Sequence, residues 1–140
     1  MPDTMPSLKL THDGALKLVQ AALAKSLAIG ARENIVVVDT GGNLLAMLRM
    51  DGANVQAIDT AWSKALTAAG RGQPTGSMDA QIALQQALAS QGKRINLPGG
   101  FPIVIDGHIV GGIGIGGGTG EEDIEVAKAA LATVAGTKKF

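Results

Sequence analysis

The sequence contains no cysteine and no tyrosine, and only one tryptophan and two phenylalanines. The absence of cysteine excludes disulfides, thiolate nucleophiles and cysteine-based metal sites. So few aromatic rings also argue against the stacking platforms that bind single-stranded nucleic acids. Charge is scarce and balanced, with 12 basic and 12 acidic residues and a net charge of zero. We therefore expect neither a nucleic-acid partner nor a membrane partner.

Long hydrophobic runs are also missing. No window reaches the roughly 20 apolar residues that a membrane span needs, and the first nine residues lack the apolar core of a signal peptide. The cytoplasm is therefore the expected location. Hydrophobic residues nevertheless make up 46% of the 140 positions, which is enough to bury a core. We expect one domain over residues 1–140, with short flexible ends at about 1–8 and 136–140.

Hydrophobic periodicity and turn residues predict the order helix, hairpin, helix, helix, hairpin, helix. The predicted helices begin and end near residues 12–29, 55–69, 78–91 and 121–135, and the predicted hairpins occupy residues 34–50 and 101–115. In the first helix, the apolar stripe is expected to include Leu16, Val19, Leu23 and Leu27. Two hairpins of similar pattern predict an α+β fold in which one antiparallel sheet is flanked by helices.

The second hairpin carries an unusual run of glycines. Asp106-Gly107 is typical of a tight hairpin turn, and the return strand follows at His108. Strict alternation would place Ile109, Ile113 and Ile115 on one face, and Val110 with Gly112, Gly114 and Gly116 on the other. Glycine weakens a strand, so three on one face indicate that a ligand, a helix or a neighbouring subunit approaches the backbone closely. Beyond the strand, Thr119 and Glu122 have the spacing of a helix capping box.

The same segment carries a family resemblance. The strand pair PGGFPIVIDGHIVGGIGIGGG, followed by EEDIEVAKAA, resembles the GlcG/HbpS family, known as the haem-degrading domain family. It is also similar to the C-terminal part of PduO-type corrinoid adenosyltransferases. The resemblance extends over nearly the whole chain. It implies a profilin-like fold, a small-molecule ligand such as haem or another planar molecule, and a homo-oligomer that is a dimer or larger assembly, up to an octamer.

A pocket is expected where the glycines remove side chains, between the bend at 99–101, the strand end at 114–118 and the helix that carries Lys64. Its candidate ligand-binding residues are Arg49, Gly99, Gly100, Phe101, Gly114, Gly116 and Gly117. Such a pocket suits a planar ligand, or it suits a cofactor-free lyase, isomerase or hydrolase acting on a small organic acid or aromatic compound. The candidate catalytic residues for that alternative are Lys64, Glu122 and Asp123. A third interpretation is an assembly protein without chemistry of its own.

Each catalytic candidate also has an ordinary structural interpretation. Lys64 could be a solvated lysine lying over apolar surface, and acids in a first helical turn stabilise the helix dipole. His12 and His108 are the only imidazoles, and haem iron accepts histidine as a ligand. His108 follows the hairpin turn directly, which also fits an exposed hairpin tip. If haem is the cofactor, one of these two histidines is the expected iron ligand; no other metal site is expected.

Overall fold

The computed structural model describes residues 2–140, and within them it has four helices and four strands. In chain order these are α1 (His12–Ile29), β1 (Asn34–Asp39), β2 (Leu44–Arg49), α2 (Ala57–Arg71), α3 (Ala80–Ala89), β3 (Gly100–Ile105), β4 (His108–Gly116) and α4 (Gly120–Leu131). The helix ends follow local chemistry: Thr11 caps α1, and Gly30 ends it with a positive φ of 74°. Thr119 and Glu122 form the predicted capping box at the start of α4.

All four strands belong to one antiparallel sheet in the order β2-β1-β4-β3. Each hairpin contributes two neighbouring strands, and the pairing of β1 with β4 joins the hairpins through residues 34–39 and 111–116. The predicted α+β architecture, in which two hairpins form one sheet flanked by helices, is therefore confirmed. None of the helices within residues 2–140 is long and apolar enough to cross a bilayer.

Helices cover the two faces of the sheet differently. On one face α1 and α4 enclose the larger core, which contains Leu18, Ile35, Phe101, Ile113 and Val126 among others. On the other face α2 packs through alanines onto β1, around Val36 and Val38. The remaining helix, α3, contains no buried residue. The molecule thus has one packed helix layer on each face of the sheet, and one helix, α3, without a fully buried residue.

Two expectations about side-chain orientation are wrong. A β-bulge lies where Ile103 pairs with Gly111 but Val104 pairs with Ile109, so Val110 is the extra residue. An extra residue reverses the alternation of faces, and Val110 therefore joins the larger core while Ile109 stays partly exposed. In α1 the periodicity also predicted too many core residues, because Leu16 and Leu27 are exposed.

The glycines of β4 bring α2 unusually close to the sheet. A Cβ atom at Gly112 or Gly114 would overlap the carbonyl oxygen of Ala65 or Ala61, and one at Gly116 would lie 2.8 Å from the carbonyl oxygen of Ala57. The sequence left open whether a ligand, a helix or a neighbouring subunit approaches this face, and in the structure it is the helix α2. Gly114 and Gly116 lie under α2, which leaves no space there for a ligand.

The C-terminal residues are not free of the body, contrary to expectation. Thr137 forms a β-bridge with Ile105, and the Lys138 N–H donates to the carbonyl oxygen of Val104 at 2.8 Å. The ring of Phe140 then lies 5.7 Å from that of Phe101, centroid to centroid. The tail thereby covers part of the outer edge of the sheet beside β3.

Replacing Gly114 by alanine should destabilise the fold strongly. The added methyl group would overlap backbone atoms of α2 that cannot move alone, and overpacking of this kind costs about 3 kcal/mol or more. Gly70→Ala is the matched control, since its methyl group would meet only the Arg94 side chain at 3.7 Å. This substitution also replaces a glycine inside a helix by alanine, which stabilises a helix by up to about 1 kcal/mol. Denaturant unfolding measures both changes; equal stabilities of the two variants would contradict the packing described here.

Candidate functional site

A cavity of about 500 Å³ opens beside the first turns of α2. Its walls come from three places: the start of α2 with the loop before it, the segment that leads into β3, and the glycine turn between β4 and α4. The lining residues are Asn54, Gln56, Ala57, Thr60, Lys64, Leu97, Pro98, Gly117, Gly118, Gly120 and Asp123. The volume lies within the range typical of small-molecule sites.

Lys64 occupies the floor of this cavity and is only 4% exposed. Its Nζ donates to the carbonyl oxygen of Ile115 at 2.6 Å and to Oδ2 of Asp123 at 2.9 Å. The lack of a side chain at Gly99 makes room for this arrangement, because a Cβ there would lie 3.2 Å from Nζ. An ammonium group has three N–H donors, so these two bonds leave one donor for a ligand.

Asp123 is joined to a second buried acid, Glu33. The Gly118 N–H donates to Oε2 of Glu33 at 3.2 Å and to Oδ1 of Asp123 at 3.1 Å, which brings the two carboxyl groups together. Glu33 is fully buried, and its Oε1 atom accepts no hydrogen bond. Burial, followed by the hydrogen bond and the negative charge of Asp123, raises the pKa of Glu33 from 4.5 to about 8. This shift favours the neutral form of Glu33 at pH 7.

The three groups form a cluster, Lys64–Asp123–Glu33, that is balanced in charge at neutral pH. One ammonium offsets one carboxylate, while the third group holds a proton. A buried ion pair persists when further hydrogen bonds satisfy its members, and here the Ile115 carbonyl and the Gly118 N–H supply them. Such a cluster can hold a polar ligand atom and exchange protons without changing its net charge.

The structure brings some of the predicted site residues together. Lys64, Asp123 and Gly117 line the cavity, and Gly99 lies next to Lys64. Gly100 supports the site from behind: its N–H donates to Oγ1 of Thr75 at 2.9 Å.

Other predicted residues lie elsewhere. The Glu122 carboxylate accepts the N–H of Thr119 as a helix cap, and Phe101 belongs to the larger core. Arg49 lines a separate hollow beside α1. Both histidines are exposed and lie outside the cavity lining, His12 at the start of α1 and His108 at the tip of the second hairpin. Within residues 2–140, no group of three His, Cys, Asp or Glu side chains is placed to hold a metal ion.

Glu33 is the site residue that sequence reasoning missed. The available signal was a charged residue two positions before the uninterrupted apolar run Ile35-Val36-Val37-Val38, in a chain with few charges. A charge next to a fully buried strand needs a partner. Its partners, Gly118 and Asp123, lie 85 and 90 positions further along the chain, so local pattern could not identify them.

Comparisons with known proteins agree with this architecture. A family model described as "Haem degrading protein HbpS-like" matches residues 10–132. An uncharacterized 15.0 kDa protein in the dhaT-dhaS intergenic region of Citrobacter freundii is 36% identical over 127 residues, which cover 87% of this chain and 89% of that protein. The resemblance inferred from the glycine-rich hairpin is confirmed.

Solved structures extend the likeness to three dimensions. A double mutant of HbpS from Streptomyces reticuli matches with a TM-score of 0.84 at 34% identity, covering 95% of this chain and 92% of that one. The complex of PduOC with haem matches with a TM-score of 0.86 at 25% identity, covering 94% and 99% of the two chains.

Replacing Glu33 by glutamine should change how stability depends on pH. Between pH 4.5 and about 8, the folded chain keeps a proton on Glu33 that the unfolded chain has already released. The free energy of unfolding should therefore fall as pH rises through that window, with a slope of at most about 1.4 kcal/mol per pH unit from this group. Glu33→Gln should lose this part of the slope, as measured by urea unfolding at several pH values.

The matched control is Glu121→Gln, which changes an exposed acid in the first turn of α4. It should keep the slope of the unmodified chain. An unchanged slope in Glu33→Gln would mean that Glu33 carries no proton in the folded state at neutral pH.

Proposed function

Since this chain belongs to the HbpS-like family, we propose that it is a small-molecule-binding protein whose ligand is haem or a related planar tetrapyrrole. The family description names haem, and the related PduOC has been solved in complex with it. Haem iron is held in proteins by histidine, cysteine, methionine or tyrosine. This chain has no cysteine or tyrosine but has five methionines and two histidines, and the imidazoles of His12 and His108 are the candidate iron ligands in this proposal.

The cavity does not fit haem iron, because its lining residues include no histidine or methionine. Lys64 lines it, but lysine is not among the side chains that ordinarily hold haem iron. Iron would therefore have to be held outside the cavity.

His12 fits the role better than His108, and its surroundings carry the proposal. Its side chain is 86% exposed, and its Nε2 lies 3.5 Å from a carboxylate oxygen of Asp13. Apolar side chains nearby in sequence, Met5, Leu8 and Leu16, are also exposed. An accessible imidazole with apolar neighbours offers both an iron ligand and cover for a porphyrin face. Bound haem would supply a redox-active iron, while these residues bind and orient it.

Titration with ferric haem tests this proposal. We expect binding in the micromolar range with a shifted Soret band, because a surface site covers only part of the ligand. His12→Ala should lose most of the shift, and His108→Ala, which removes the other exposed imidazole, should keep it. Loss of the shift in His108→Ala alone, or in neither variant, would contradict the assignment of His12.

We further propose that the chain is a homo-oligomer, a dimer or a larger assembly up to an octamer, with α3 in the interface. No residue of α3 is buried within the chain, although Leu84 and Leu88 lie one turn apart on this helix and are 62% and 71% exposed. Net charge is zero, so long-range repulsion between copies is weak. An exposed apolar helix face of this kind is typical of a protein contact.

Replacing Leu84 and Leu88 together by lysine should shift the assembly toward monomers. Two charges placed in an apolar contact would be desolvated without partners. Light scattering measures the mass, and Gln85→Lys, a charge added to an exposed position on the same helix, is the control that should leave it unchanged. A mass near 14.1 kDa for the unmodified chain at micromolar concentration would contradict an oligomer.

A further inference from the structure

The Lys64–Asp123–Glu33 cluster has no role in the proposed haem site, and its chemistry points to a second function. Lys64 is almost completely buried, and it lines a cavity of about 500 Å³. By contrast, Lys25 is about one-third exposed and pairs with Glu125 at the surface. A desolvated lysine at the floor of a cavity is a setting in which proteins use lysine as a nucleophile.

A lysine must lose a proton before its nitrogen can attack, and Asp123 is placed to accept it. Its Oδ2 lies 2.9 Å from Nζ. Transfer of that proton gives an amine and a carboxylic acid, so the net charge of the buried cluster does not change.

We propose that Lys64 forms an imine with a small aldehyde or ketone bound in this cavity. Asp123 first takes a proton from Nζ. The nitrogen lone pair then adds to the carbonyl carbon, and the carbonyl oxygen takes the proton from Asp123. Asp123 next accepts a proton from nitrogen and returns it to the hydroxyl group, which leaves as water. The product is an iminium ion on Lys64 with Asp123 again a carboxylate, so the ammonium and the carbonyl compound have become the iminium and one water molecule.

The charged groups around the cavity limit the class of carbonyl compound. Lys64 on α2 is the one cation among the lining residues. It faces Asp123 on α4 and Glu33 before β1, and the Glu122 carboxylate lies near Gly118 from the start of α4. A negative charge on the ligand would meet Asp123 and Glu122 without a free cation to balance it. The site is therefore suited to an uncharged carbonyl compound, which Asn54, Gln56 and Thr60 on the wall can orient by hydrogen bonds.

Reductive trapping tests the proposal directly. The folded chain is incubated with propanal and cyanoborohydride, which converts an imine into a stable secondary amine, and the modified lysines are mapped by mass spectrometry. Lys64 should be modified at least about tenfold faster than the exposed Lys93, a difference that would correspond to a lower barrier to reaction. Exposure alone predicts the reverse order, because Lys64 is 4% exposed.

Two controls make the outcome specific. In urea the preference for Lys64 over Lys93 should disappear, since it depends on the folded cluster, and this comparison needs no variant. Asp123→Asn should slow modification of Lys64 but not of Lys93, provided circular dichroism shows the chain to be folded. His12→Ala should be trapped like the unmodified chain, which separates this site from the haem proposal. Modification that follows exposure, with Lys64 the slowest lysine in the folded chain, would overturn the inference.

Discussion

The close contact between α2 and the glycine face of β4 is the constraint on which the rest of the structure depends. Because Gly112, Gly114 and Gly116 have no side chains, carbonyl groups of α2 lie in close contact with the backbone of β4. This close contact between helix and strand brings Lys64 to the end of β4, where its Nζ donates to the carbonyl oxygen of Ile115 at 2.6 Å. The glycines therefore shape the site indirectly: they position the helix that carries its lysine, and they do not contact a ligand themselves.

The buried ion pair is costly, and its retention needs a reason. Removing an ammonium and a carboxylate from water costs several kcal/mol for each ion, and a well-packed apolar pair is often as stable. Here a third titratable group, Glu33, is buried in the same place with one oxygen unpartnered. Fold stability alone does not favour this arrangement, whereas a site that must present a polar atom to a ligand does. Strongly perturbed groups beside a cavity are typical of functional sites.

Much of the fold could be predicted because its signals are local. The Asp106-Gly107 turn, the Thr119 cap and the apolar run before Asp39 each depend on a few adjacent residues, and the structure contains all three elements. The bulge at Val110 could not be predicted, since it is decided by pairing with β3. Glu33 was missed for a similar reason, because its partners follow the neighbouring strand β4 and lie at least 85 positions away in sequence. Sequence pattern placed Lys64 and Asp123 in one site but could not show that a third acid completes it.

Family membership describes the fold as a whole, whereas the binding of a particular ligand depends on individual side chains. The likeness to haem-related proteins extends over the whole fold, but an iron ligand must be an individual side chain. In this chain the imidazoles lie on the exposed ends of α1 and of the second hairpin, while the cavity contains Lys64 and Asp123. The proposed haem ligand His12 and the proposed nucleophile Lys64 therefore lie in different parts of the fold, and each proposal can stand or fail without the other.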